Sequence, residues 1–179
     1  RFGDTALAAN QVLLQFMYIT AYAMDGFAYA AEALIGQALG AHNRNVFRRS
    51  VYLTSFWGVA VTIALTLAFW LWGGWAIDVM TTAPDVRIEA RRYLPWMVLA
   101  PLAGVACWML DGIFIGATRT ADMRNMMLIS VIVYVISLWV FLGPYGNHGL
   151  WASMLLFFIA RGLTLGWKYP GLEASVGRS

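Results

Sequence analysis

The sequence predicts an all-α integral membrane protein, a transmembrane bundle of about five spanning helices. Three observations predict it. Hydrophobic residues make up 61% of the 179-residue chain and charged residues only 12%, where soluble domains average about 45–50% and about 25%. The apolar residues come in runs of the roughly 20 mostly apolar residues needed to cross a bilayer. The 9 Trp, 8 Tyr and 10 Phe are the side chains that gather at membrane interfaces. A soluble core of this size could not bury so much apolar surface.

The spans are expected at 5–39, 50–77, 91–118, 123–142 and 148–167, with 171–179 as a tail. The second carries no charge. Between spans two and three, Thr82-Ala83-Pro84-Asp85 reads as the capped start of a short amphipathic helix. Gly143-Pro144-Tyr145-Gly146-Asn147 is a turn by composition. The chain opens Arg1-Phe2-Gly3-Asp4 without an initiator Met or a signal sequence, so the expectation is a truncated start with sequence missing upstream.

The connecting segments assign sides. One side holds Arg44, Arg48, Arg49, Arg119, Arg124, Lys168 and Arg178. The other holds Arg1, Arg87, Arg91 and Arg92, partly balanced by Asp85 and Glu89. The positive-inside rule places the more basic side, with the His42 turn and the C-terminus, in the cytoplasm. Arg161 lies near that end and is expected to snorkel to it. Trp70, Trp72, Trp75 and Trp96 are expected to form the outer aromatic belt.

Several function classes lack their residues. The net charge of +3 is not clustered as nucleic-acid binding requires. Cys107 is the one cysteine, which excludes an internal disulfide and reads as packing. His42 and His148 fall in loops, and no Cys/His set has metal-ligand spacing. There is no phosphate-binding loop and no Gly-x-Ser-x-Gly, so an enzyme is not expected.

The chemistry lies in polar residues within the spans, which normally face a cavity or a partner because burial in lipid is costly. Gln11, Gln15, Tyr18, Tyr22, Asp25, Tyr29 and Glu32 recur at alternating spacings of four and three. They therefore share one stripe of the first helix. Lipid cannot accept that stripe, so it must line a cavity or serve as hydrogen-bonding glue between helices. Tyr faces attract cations and flat rings, and the carboxylates supply the opposite charge. The third span carries Asp111, with Trp108 and Thr118 on a similar face, in a helix that Pro95 and Pro101 can bend. No basic residue is expected at matching depth to pair Asp25, Glu32 or Asp111. A carboxyl in a low-dielectric site holds its proton more readily, and one that trades that proton for a cation is the simplest route to antiport.

Three strings carry a family resemblance. The first is Gly3-Asp4-Thr5-Ala6-Leu7-Ala8-Ala9-Asn10-Gln11. The second runs from Asp25-Gly26-Phe27-Ala28-Tyr29 to Ile35-Gly36-Gln37-Ala38-Leu39-Gly40. The third is Leu110-Asp111-Gly112-Ile113-Phe114-Ile115-Gly116-Ala117-Thr118-Arg119-Thr120. In this order they resemble the multidrug and toxic compound extrusion (MATE) family, in its DNA-damage-inducible branch. The resemblance implies a twelve-helix transporter in two six-helix lobes, of which this chain would hold most of the C-terminal lobe and lack the N-terminal one. It implies a multi-pass inner-membrane antiporter exporting small cationic or amphipathic compounds. No cofactor is implied; the coupling ion would be H+, with Na+ the lesser expectation, because Asp111 stands about one turn from the aspartate of sodium-coupled members. Membrane lipid, the substrate and the missing lobe are the expected partners, and nucleic acid is not. The competing readings are a lipid-linked oligosaccharide flippase of the same superfamily and a membrane scaffold that transports nothing.

Overall fold

A computed structural model describes residues 3–176, so Arg1, Arg178 and the end of the expected tail lie outside the described residues. The described residues form four helices: α1 (Gly3–Gly40), α2 (Arg44–Met80), α3 (Pro84–Gly116) and α4 (Thr120–Ser175). α4 is two helical arms, 120–145 and 147–175, meeting at Gly146 with φ 53° and ψ −129°. A side chain is strained at such angles and glycine is not, so the expected turn narrows to a single residue. α2, α3 and α4 are long and apolar enough to cross a membrane. α1 has the length, at 38 residues, but its Gln and Tyr stripe keeps its hydropathy below that of the other three.

Each turn has a local cause. α1 ends where the His42 amide reaches the Leu39 carbonyl and the Asn43 amide reaches the Ala38 carbonyl. This is a Schellman closure with His42 in the left-handed region, at φ 48°. Asn43 then caps α2, its Oδ1 accepting from the amides of Asn45 and Val46 at 3.1 Å each. α3 ends with the same closure at Thr118, φ 57°, which takes Thr118 off the helix face it was expected to share with Asp111.

The short helix expected at Thr82 does not stand apart. α3 starts at Pro84 and continues through Pro95 and Pro101 to Gly116, with no side-chain cap. The arginines after it close the α2–α3 turn instead. Arg87 donates to the Thr81 and Asp78 carbonyls, both at 2.7 Å, and Arg91 pairs with the Asp78 carboxylate. Their positive charge suits the negative end of α2.

α3 is the central helix, packing against α1, α2 and α4. One apolar core lies toward the α2–α3 turn, around Leu13, Phe16, Phe69, Met97 and Trp151. A second lies at the opposite end, around Ile35, Phe47, Phe114 and Leu165. Between α1 and α3 the backbones nearly touch. A methyl group on Gly112 would sit 2.8 Å from the Ala28 Cα, and one on Gly116 equally close to the Glu32 Cα. Small residues permit this approach in membrane helices, where packing rather than water drives association. Gly112→Ala is therefore expected to destabilise the bundle by about 1–3 kcal/mol, the usual cost of overpacking. Thermal melting of the purified full-length protein checks it, and an unchanged midpoint would mean the two helices part freely.

Candidate functional site

The α1 stripe lies opposite the buried side of its helix, and at its Glu32 end the backbone runs against Gly116 of α3. The buried positions of α1, among them Leu13, Phe16, Thr20, Met24, Ala31 and Ile35, lie about opposite to Gln11, Gln15, Tyr18, Tyr22, Asp25, Tyr29 and Glu32. Gln11, Gln15 and Tyr18 are exposed, as are Tyr22 at 75% and Tyr29 at 68%. Asp25 and Glu32 are half-buried, and neither makes a hydrogen bond or ion pair among the described residues. The Tyr18 and Tyr22 rings stack with centroids 6.5 Å apart, so one edge of the stripe is a continuous aromatic surface. Among the described residues the stripe side chains make no hydrogen bond to another helix.

Asp111 stands elsewhere. It turns toward the second arm of α4, and both its oxygens accept from Arg161, at 2.8–3.2 Å through Nε and Nη2. Arg161 is 7% exposed and its third nitrogen reaches the Met127 sulfur on the first arm of α4. Two expectations are corrected here. Asp111 has a base at matching depth, and Arg161 does not snorkel to the membrane surface. Sequence spacing conceals the pair, because the residues are 50 positions apart on different helices and only packing makes them neighbours. A carboxylate inside the bundle offers Arg161 a closer partner than the surface does. Cys107 also reaches Asp111, 3.8 Å from Sγ to Oδ2. Trp108 packs against Phe158, centroids 5.2 Å apart, on the α4 side and not toward the stripe.

A second polar knot was missed. Asn10 and Asn147 exchange amide hydrogen bonds of 2.8 and 2.9 Å, and the Trp151 indole donates to Asn10 Oδ1 at 3.2 Å. It ties the start of α1 to α4 just past the Gly146 break. Beside it, Trp96 donates to His148 Nδ1 at 3.0 Å, and the Tyr93 ring meets His148 edge-on at 4.6 Å. His148 is thus inside a helix rather than in a loop, and Trp96 is turned inward while Trp70, Trp72 and Trp75 remain exposed.

The charged ends are also tied. Arg44 and Arg48 both bind Glu173 Oε1, and Lys168 lies 3.8 Å from Asp122. These contacts bring the α1–α2 turn, the start of α4 and its end to one end of the molecule. Arg87, Arg91 and Arg92 belong to the other.

The MatE family model matches residues 1–140 of the chain. The chain is 39% identical to DNA damage-inducible protein F of Escherichia coli (strain K12), over 92% of its own length and 36% of that protein. It is 28% identical to a probable multidrug resistance protein NorM of Pseudomonas syringae pv. tomato, over 98% of the chain and 40% of that protein. To the protein DETOXIFICATION 42 of Arabidopsis thaliana it is 23% identical, over 94% of the chain and 33% of that protein. The chain therefore spans about a third of the length of these relatives.

Proposed function

Because the chain belongs to the MatE family, we propose that it forms part of an inner-membrane antiporter that exports small cationic or amphipathic compounds in exchange for protons. The open stripe of α1 carries this reading. Asp25 and Glu32 are held about two turns apart by the helix, unpaired and flanked by Tyr22 and Tyr29. Such a surface attracts a flat cation through ring faces and charge together. The same carboxylates can hold protons, so substrate and proton compete for one site, which is the thermodynamic requirement for exchange. The proton is favoured over sodium because Asp111, the acid in the membrane-buried part of α3, already holds a guanidinium.

The stripe needs a facing wall, which a second lobe in the remaining two thirds of the relatives' length would supply. The residues of this chain alone are not expected to transport. The end bearing Arg44, Arg48, Arg119 and Arg124 is assigned to the cytoplasm by its charge. A flippase cavity is less favoured, since phosphate calls for open basic groups and Arg161 is neutralised by Asp111.

The test is ethidium export from an efflux-deficient bacterium expressing the full-length protein, with and without a proton uncoupler. Export that collapses with the uncoupler is the expected result. Export that survives the uncoupler and requires sodium would change the coupling ion. Absence of export under both conditions would overturn the reading.

A further inference from the structure

Two grooves lie one after the other along α3, with Ala106 in the wall of each. The first, about 520 Å³, runs between α3 and the second arm of α4 past Leu102, Ala106, Ile159 and Gly162. The second, about 370 Å³, lies among α2, α3 and α4 at Val51, Val59, Ala106, Gly166 and Tyr169. From Leu99 to Ile113 the two grooves together cover about 21 Å of α3, at ~1.5 Å per residue. That is longer than half of the roughly 30 Å hydrocarbon core, the depth available to one leaflet's acyl chain. Ser55 and Tyr169 contribute the polar side chains of their walls, and every other lining residue is apolar or glycine. At Gly166 a Cβ would meet no atom nearer than Leu110 Cδ1 at 3.9 Å, so the missing side chain leaves open space there.

At one end of the two grooves the chemistry changes. Arg48 stands three residues before Val51 and Glu173 four residues after Tyr169, spacings that put each on the groove-facing side of its helix. Phe47 stacks on Tyr169, centroids 6.4 Å apart, which holds α2 and α4 together at this point. Arg44 and Arg48 share one oxygen of Glu173 and remain 50% and 59% exposed. Two guanidinium groups against one carboxylate leave net positive charge where the apolar groove reaches the membrane surface. Basic pockets between membrane helices bind acidic lipid headgroups.

We propose that the two grooves together are a binding site for an anionic glycerophospholipid, with an acyl chain along Ala106 and Gly166 and the phosphate against Arg44 and Arg48. The long apolar wall calls for a chain, and the unbalanced arginines call for net negative charge. The site is separate from the α1 stripe. It rests on the chain's place in a membrane and not on what the protein exports.

Native mass spectrometry of the full-length protein tests this, with phosphatidylglycerol and phosphatidylcholine of matched acyl chains added in equal amount. The wild type is expected to retain phosphatidylglycerol preferentially. Arg44→Gln with Arg48→Gln should lower that preference about fivefold for each arginine lost. Gly166→Leu, which fills open space, should lower retention of both lipids. Glu173→Gln keeps both arginines and removes the competing carboxylate, so it should raise the preference for phosphatidylglycerol. Equal retention of the two lipids by the wild type would overturn the proposal. So would a Glu173→Gln variant that loses lipid as the arginine variant does, because the cluster would then be an internal clasp. Unchanged retention by Gly166→Leu would place the lipid elsewhere and equally overturn it.

Discussion

Arg161→Met in the full-length protein is expected to lower stability by about 3–5 kcal/mol, because it strands the Asp111 carboxylate inside the bundle without its partner. Asp111→Leu strands the guanidinium in the same way. The double variant Asp111→Leu with Arg161→Met should recover most of the loss, since replacing both members of a buried pair by apolar side chains is often neutral or stabilising. The measurement is a double-mutant cycle on thermal melting in detergent, where a positive coupling energy is expected. Additive losses would mean that the pair is not formed. The cycle also separates two roles for Asp111. If the folded double variant still exports ethidium, Asp111 serves the fold as the partner of Arg161. If export is lost while stability returns, the carboxylate takes part in the exchange itself.

Asp25→Asn and Glu32→Gln are expected to behave in the opposite way, leaving stability nearly unchanged and removing transport. Neither side chain has a hydrogen bond or ion pair among the described residues to lose, and substitutions away from such contacts usually shift stability by no more than about 0.5 kcal/mol. A charge-assisted contact to a cationic substrate is worth about 1.5–3 kcal/mol, so each loss should weaken substrate binding about ten- to a hundredfold. Binding of a fluorescent cation to the purified full-length protein, paired with melting, reads both quantities. Unaltered binding in both variants would remove the stripe from the pathway. A large drop in melting temperature would show that these acids are structural after all.

The three carboxyl variants thus probe residues that look alike in the sequence and differ in the fold. Asp25, Glu32 and Asp111 are each an acid in an apolar helix, and nothing local distinguishes them. Helical spacing does place Asp25 and Glu32 on one face with Tyr18, Tyr22 and Tyr29, because that face follows from 3.6 residues per turn alone. Spacing does not say where the face points. Its exposure came from the packing of Leu13, Phe16 and Met24 on the other side of α1.

What the sequence by itself determined is whatever depends on neighbours in the chain: the long apolar helices, the break near Gly146 and the shared stripe of α1. Backbone angles and helical periodicity are local, so composition and spacing carry them. The tertiary structure alone decided the pairs that cross between helices. Arg161 meets Asp111, and Asn10 meets Asn147 across 137 positions. In a membrane interior without water, a buried polar group takes a partner within reach, and reach is set by which helices lie together. The close approach of Gly112 and Gly116 to α1 fixes one such neighbourhood. The turn of α4 at Gly146 brings the other, carrying Arg161 back alongside Asp111.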